Sequence, residues 1–173
     1  MMKWKTSLGF ALFELLIWLI LIALLMSAAI PSMLQMSHAL QMKRAANELK
    51  GFMMQSRSEA IARNQDLWAH ITDLGSEQQA GLWRITLTDS EVVDSGETIL
   101  LIDGRTFASI KLSWNYTSDR IRFYGVRGRV ENGSLEIFVE GESDHKLRLK
   151  SSFFANRVVV CAEGAEHFGY AAC

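Results

Sequence analysis

Residues 9–33 read GFALFELLIWLILIALLMSAAIPSM, a stretch that carries no charge except that of Glu14. A helix of about twenty apolar residues is long enough to cross the hydrocarbon core of a bilayer, which is roughly 30 Å thick. A carboxylate inside such a segment costs about 2.5–3.5 kcal/mol on insertion scales, and charges at this depth usually mark function. The stretch therefore predicts a membrane-spanning helix, and Glu14 is the first candidate functional residue.

The flanks of this apolar run indicate its orientation and leave three interpretations open. Lys3 and Lys5 precede the run with no acid between them, which predicts a cytoplasmic N-terminus and a remainder outside the cytoplasm. A secretory signal cut before Ile30 would have an apolar core of only about 7–15 residues, which is shorter than this run. A plain single-span anchor explains the length but gives no reason for Glu14. The third interpretation rests on a resemblance.

Four positions of this region resemble the precursors of type IV pilins. The leader MMKWKTSLG ends at Gly9, Phe10 follows it, Glu14 is the fifth residue after the cut, and Pro31 lies near the far end of the run. The resemblance implies that a prepilin peptidase cleaves between Gly9 and Phe10 and methylates the new amine of Phe10. It also implies that Glu14 pairs with this amine on a neighbouring pilin or pseudopilin subunit, because a buried charge is tolerated when it is paired.

Pro31 is the second predicted assembly residue. A proline inside a helix removes one backbone hydrogen bond and clashes with the preceding turn, so it kinks or ends the helix. In a plain anchor Pro31 would mark the exit from the membrane, whereas in a pilin-like filament it would permit bending or local melting. Both interpretations predict a weak point in the helix at Pro31.

Beyond Pro31 the apolar residues recur at steps of three and four, as on one face of a helix. This stripe consists of Met42, Ala45, Ala46, Leu49, Phe52, Met53, Ser56 and Ala60. The pattern predicts that the helix resumes after Pro31 and ends at Arg63 or Asn64, so that residues 10–64 form one long membrane-spanning spine whose second half packs its stripe on a globular domain. We interpret the methionines as core residues, since methionine fills irregular gaps.

The rest of the chain alternates apolar and polar residues with a period of two, which is typical of strands. Eight strands are predicted, at residues 67–72, 82–88, 98–103, 110–114, 120–124, 134–139, 146–149 and 157–161. Asn132-Gly133 between two of them is a strong hairpin signal. The predicted fold class is α+β, with an antiparallel β-rich sandwich or barrel-like sheet after the helix. The predicted divisions are a leader (1–9), a transmembrane and assembly helix (10–35), an amphipathic helix (36–64) and a β-rich periplasmic head (65–173).

The head has its own resemblance. The segment IRFYGVRGRVENGSLEIF, with Gly128 and Arg129 as the matching pair, and the later NRVVVC resemble the GspH/FimT family of minor pilins and pseudopilins. This resemblance implies a structural subunit, not an enzyme, that sits in the bacterial inner membrane and joins a filament. Pro31 favours a minor type IV pilin that initiates or caps pilus assembly. A minor pseudopilin of a type II secretion system and a DNA-binding minor pilin stay open as alternatives.

The C-terminal residues of the chain do not support DNA as a partner. Some members of the pilus branch bind DNA through a C-terminal G-R-x-R motif, but here Gly164 is followed by Ala165, Glu166 and His167. Because phosphate contacts supply most non-specific affinity, we do not expect the C-terminal tail to bind DNA. The net charge of −1 adds no general affinity for polyanions.

Seven basic residues of the head are a candidate contact for a polyanion or another subunit. They share the faces of two predicted strands or the turn beside one of them, and they are Arg120, Arg122, Arg127, Arg129, Lys146, Arg148 and Lys150. If the two strands that carry them are neighbours, they form a basic patch. In the alternative interpretation, Glu136 and Glu140 pair with these cations across the sheet.

Cys161 and Cys173 are predicted to form a disulfide, because the periplasm keeps disulfides oxidised. The rival interpretation is a metal site formed by these cysteines and His167, but scattered ligands without a C-x-x-C pair are poor evidence for zinc. We therefore expect no metal and no cofactor. The sequence also lacks nucleophile, phosphate-binding and dinucleotide motifs, so we expect no enzymatic activity.

Overall fold

The computed structural model describes residues 8–75 and 79–173 of the 173-residue chain. Most of the predicted leader, including Lys3 and Lys5, lies outside the described residues. The chain forms two compact units, with the division between His38 and Ala39. Within the described ranges there are one long helix, one short 3₁₀ helix and nine strands.

Helix α1 comprises Leu8–Arg63 and is assigned without interruption across Pro31. The interpretation in which Pro31 ends the helix is therefore wrong. Its C-terminal end matches the prediction, because Asn64 adopts a left-handed backbone with φ of 51°. The N–H groups of Asn64 and Gln65 then donate to the carbonyls of Ile61 and Ala60, which caps the last turn.

In the described part of the chain, no helix combines the length and the apolar character that a membrane crossing requires. The transmembrane assignment of residues 10–35 stays a prediction.

The predicted apolar stripe of α1 is confirmed as part of the core. Each of its eight positions is buried, and none is more than 8% exposed. Ser56 is the polar member of the stripe, and its hydroxyl has no hydrogen-bond partner. The stripe joins residues of both β-sheets in one hydrophobic cluster.

Two antiparallel sheets form the β-rich part of the second unit. In the first sheet the order is β3-β2-β1-β5-β6, with bounds Thr98–Asp103, Trp83–Thr88, Leu67–Asp73, Arg120–Tyr124 and Arg129–Val130. The second sheet has the order β4-β7-β8-β9, with bounds Ile110–Asn115, Gly133–Val139, Leu147–Ser152 and Arg157–Ala162. All eight predicted strands are confirmed, β8 running three residues further than expected. Strand β6 was missed because two residues carry no periodicity.

The hairpin prediction at Asn132-Gly133 is wrong. These residues connect β6 of the first sheet to β7 of the second, and the two strands do not pair. Gly133 is required for a different reason, since a Cβ there would collide with the ring of Tyr116. Asn132 uses its side-chain oxygen to accept a hydrogen bond of 2.8 Å from the Phe153 N–H. The pair therefore fixes the crossing between the sheets.

Candidate functional site

The predicted processing and assembly residues all lie on α1. Gly9, Phe10, Glu14 and Pro31 have helical backbone, and Glu14 is exposed to solvent in the single chain. The prolyl nitrogen of Pro31 has no hydrogen to donate to the Ser27 carbonyl, although the helix continues past it. Ser27 turns its own hydroxyl to the carbonyl of Leu24 at 2.8 Å. Processing at Gly9 and Phe10 stays a prediction.

Glu14 sits within an apolar surface. Every large apolar side chain between residues 12 and 26 is at least 43% exposed, including Phe13 and Leu15 on either side of Glu14. Exposed apolar surfaces of this extent mark contact with other proteins or with lipid. The helix therefore offers a surface that the isolated chain cannot cover, with one carboxylate in it.

The structure does not unite the seven predicted cations in one patch. Arg120 and Arg122 lie on β5 of the first sheet, whereas Lys146, Arg148 and Lys150 lie on or beside β8 of the second. Strands β5 and β8 are not neighbours, so the condition for a continuous basic patch fails. The sequence could not show this, because strand adjacency across two sheets depends on long-range pairing. A polyanion or subunit contact by smaller groups of these residues stays a prediction.

Arg120 and Arg122 are each held by an acid. Arg120 pairs with Glu91 at 2.5 Å, and Arg122 pairs with Asp66 at 2.6 Å. Burial on its own would raise the pKa of Asp66. Hydrogen bonds from the Arg122 guanidinium and the Gly125 N–H outweigh burial, so the pKa lies below its usual value of 3.8. The same hydrogen bond to Asp66 raises the pKa of Arg122. Asp66 is an important partner that the sequence analysis missed.

Arg148 on β8 and Lys146, which lies just before it, also meet carboxylates. Arg148 contacts Glu136 at 2.7 Å and Glu163 at 2.5 Å, and Glu136 lies directly opposite it in the strand register. Lys146 reaches Glu136 at 3.9 Å. This arrangement matches the alternative interpretation of a paired face for Glu136, whereas Glu140 pairs with Lys111 at 3.0 Å and not with any of the seven cations.

Three of the seven cations have no acidic partner among the described residues, namely Arg127, Arg129 and Lys150. Arg127 and Arg129 line a surface pocket of about 250 Å³ between the β5–β6 and β8–β9 turns. The complete lining is Asp66, Tyr124, Val126, Arg127, Arg129 and Phe153. Arg129 lies over the Phe153 ring, with 4.6 Å between its guanidinium carbon and the ring centroid. The segment RIRFYGVRGR, which holds four arginines and two aromatic residues, is the local sequence signal for this site, and Phe153 joins it from a separate turn.

The C-terminal cysteines are bonded to each other. Cys161 and Cys173 form a disulfide with a Cα–Cα distance of 5.0 Å, which confirms the prediction. Beside it, the tail pairs with the end of β9, since the Cys173 N–H donates to the Ala162 carbonyl at 2.9 Å. The Nε2–H of His167 donates to the Lys146 carbonyl at 3.1 Å. Across the described ranges, no group of three or more metal-ligating side chains is present.

A family profile matches the middle of the chain, from the second half of α1 to the end of β8. The profile described as Type II transport protein GspH matches residues 45–153. The chain belongs to the GspH family. The matched segment starts within the buried stripe of α1 and ends in the β8–β9 turn, so it contains the arginine–aromatic pocket. It contains neither cysteine and none of the predicted processing or assembly residues.

Solved structures share the fold of this GspH family member. The minor pseudopilin EpsH from the type 2 secretion system of Vibrio cholerae aligns with a TM-score of 0.53 and 17% identity, over 72% of this chain and 98% of that chain. The type IV minor pilin FimU of Pseudomonas aeruginosa aligns with a TM-score of 0.56 and 19% identity, over 71% and 92%. At these identities the likeness shows the fold. No curated protein sequence matches the chain significantly.

The family sets the class of function. The GspH profile and the two neighbours identify a minor pilin or pseudopilin, a class of structural filament subunits and not of enzymes. The α+β fold of the second unit agrees with this class. Whether the filament is a pilus or a secretion pseudopilus is a finer question.

Proposed function

We propose that the chain is a minor type IV pilin that helps to initiate or cap pilus assembly. One observation carries the proposal: the N-terminal part of α1 exposes a long apolar face with Glu14 in it. Such a face is stable only when lipid or other subunits cover it, and the carboxylate is tolerated only when it is paired. Cleavage by a prepilin peptidase between Gly9 and Phe10 would supply the pairing amine on a neighbouring subunit.

The proposal includes a location. Before assembly the chain crosses the inner membrane once through residues 10–35, with its N-terminus in the cytoplasm and its head in the periplasm. Lys3 and Lys5 support this orientation through the positive-inside rule. The Cys161–Cys173 disulfide supports a periplasmic head, because that compartment keeps disulfides oxidised.

A second candidate function is a minor pseudopilin of a type II secretion system. The description of the matching family and the likeness to EpsH favour it. Both candidates need the same helix, the same processing and the same kind of head. The feature that favours the pilus is Pro31, which lies near the end of the apolar run.

A clean deletion separates the two candidates. Sheared surface pili and secreted enzymes are measured in parallel in the deletion strain and in a strain complemented with the full chain. We expect the loss of pili with normal secretion, restored by complementation. Lost secretion with normal pili would assign the chain to the secretion pseudopilus. If neither changes, both candidates are wrong.

A further inference from the structure

The tip of the β5–β6 hairpin packs against the end of α1. Gly125 lies so close to the Gln65 backbone that a Cβ would collide with it, and a Cβ at Gly128 would meet the end of the Ile61 side chain. Gly128 also has a φ of 56°, which glycine adopts without strain. The two glycines therefore fix the tip and direct the residues between them, Val126 and Arg127, outward into solvent.

The opposite wall of the pocket is fixed as well. Asn132 anchors the backbone of Phe153, and Asn156 closes the β8–β9 turn. With its amide oriented to satisfy both groups, Asn156 donates to the Gly128 carbonyl and accepts from Arg57, each at 2.9 Å. The two turns are thus tied together, so the pocket between them is preformed.

The pocket combines apolar anchors with cations. Val126 is 81% exposed, a large fraction for an apolar side chain in a folded unit. The Tyr124 and Phe153 rings meet edge to face with centroids 5.3 Å apart. Aromatic residues and arginines of this kind carry much of the binding energy at protein interfaces.

The charges of the pocket are unbalanced. Asp66 is fully engaged by Arg122 and the Gly125 N–H. Among the described residues, Arg127 and Arg129 have no acid to pair with, although Arg129 stacks on Phe153. Two guanidinium groups beside an apolar wall complement a carboxylate with an apolar neighbour, because arginine binds carboxylates through charge-assisted hydrogen bonds.

We propose that this pocket docks an acidic segment of a neighbouring filament subunit, with carboxylates at Arg127 and Arg129 and an apolar side chain against Val126 and Phe153. The proposal rests on the proposed function as a filament subunit. Nucleic acid fits less well, since binding a phosphate backbone requires a row of unpaired cations. Here Arg120, Arg122 and Arg148 are neutralised by acids of the same chain.

Photo-crosslinking of the full chain in its own membrane tests the docking. Benzoyl-phenylalanine replaces Val126 at the lip of the pocket, and a second strain carries it in place of Val159, an exposed residue of β9. Irradiated cells are analysed by mass spectrometry of the crosslinked peptides. We expect an adduct from position 126, but not from position 159, on a subunit segment that contains Asp or Glu next to an apolar residue.

Charge-reversal variants then test whether the Arg127 guanidinium binds the carboxylates of the docked segment. Arg127→Glu breaks no ion pair with any described residue, so it should leave the fold intact and reduce the adduct at least tenfold. Lys150→Glu makes the same charge change at a cation outside the pocket that also has no acidic partner in the described ranges, and it should leave the adduct unchanged.

Four results would overturn the proposal: no adduct from position 126, an adduct that nuclease removes, an adduct on a segment without acids, or an adduct that Arg127→Glu does not reduce. The deletion experiment keeps this inference separate from the proposed function. If deletion abolishes pili or secretion while the Arg127→Glu adduct equals that of the wild type, only the docking proposal fails.

Discussion

At the scale of single residues, an unpaired Glu14 carboxylate in lipid would cost free energy, and pairing it with a subunit amine would recover that cost. In the single chain it has apolar neighbours on the same exposed surface of α1, so lipid around it would leave its charge unpaired. A subunit amine beside it would remove that cost. In the proposed filament, the free energy of this buried pair would drive assembly and would not hold the chain in the membrane.

Glu14→Ala should leave the chain in the membrane but largely exclude it from filaments. Removing one member of a buried pair costs about 3–5 kcal/mol, which is a loss of two or more orders of magnitude in association. Immunoblots of the membrane and sheared-filament fractions measure the distribution. Glu48→Ala, a charge removal at an exposed position of the same helix, should assemble normally. Normal incorporation of Glu14→Ala would contradict the pairing.

Ser56→Ala should stabilise the chain. The Ser56 hydroxyl is buried without a hydrogen-bond partner, which costs about 1–3 kcal/mol, and alanine also favours the helix. Ser58→Ala is the matched control, because Ser58 is exposed and donates to the Met54 carbonyl at 3.1 Å. Urea unfolding of the detergent-solubilised chain should show a gain of about 1 kcal/mol for Ser56→Ala beyond that of Ser58→Ala. Equal gains would mean that the hydroxyl has an unrecognised partner.

At the scale of secondary-structure elements, the Asp66–Arg122 pair joins the start of β1 to β5. Because the folded-state pKa of Asp66 is depressed, its stabilising effect is present above the unfolded-state pKa and is lost as the pH falls through the folded-state pKa. The contribution is modest, since both side chains are partly exposed.

Asp66→Asn should therefore destabilise the chain most at neutral pH and least in acid. Asparagine keeps an acceptor for the Gly125 N–H but loses the charge that holds Arg122. We expect a loss of about 1 kcal/mol at pH 7 that shrinks below about pH 4. Unfolding curves across this range measure it, with Asp144→Asn at an exposed turn as the control. A difference that is constant with pH would rule out the ionic contribution.

Much of the secondary structure could be predicted from the sequence, because the local periodicity of apolar residues encodes it. The stripe of α1 and the eight longer strands follow from steps of 3.6 and 2 residues. Asn132-Gly133 could not be interpreted locally. Glycine is needed at position 133 because the ring of Tyr116, which follows β4, leaves no space for a side chain there. The same limit applies to the site: the sequence shows seven cations, but only the fold shows that Asp66 neutralises Arg122 while Arg127 and Arg129 have no acidic partner among the residues that the structure describes.

At the scale of the whole molecule, the disulfide stabilises a region outside the segment that defines the family. Residues 45–153 match the GspH profile, whereas Cys161 and Cys173 close a loop after it with a sequence separation of 12. The end of β9 still belongs to the shared core through Ala162, so the addition to the matched segment is the tail that follows it.

Replacing both cysteines by serine should lower the free energy of unfolding by about 3 kcal/mol, the chain-entropy value for a loop of this size. The two sheets should still form, because neither cysteine belongs to the hydrophobic cluster that unites them. Denaturant unfolding of the double variant should match that of the reduced wild-type chain. An unchanged midpoint would mean that the loop adds no stability.

The buried stripe of α1 also determines how the second unit would resist a pulling force along the helix. A filament under tension pulls on each subunit through its helix, and here residues 42–60 of that helix are part of the core. At 1.5 Å per residue, this contact extends over about 27 Å of helix length. The force is thus applied in shear to many apolar contacts at once and not to a single connecting peptide. Unfolding under tension would require the whole stripe to slip past both sheets together.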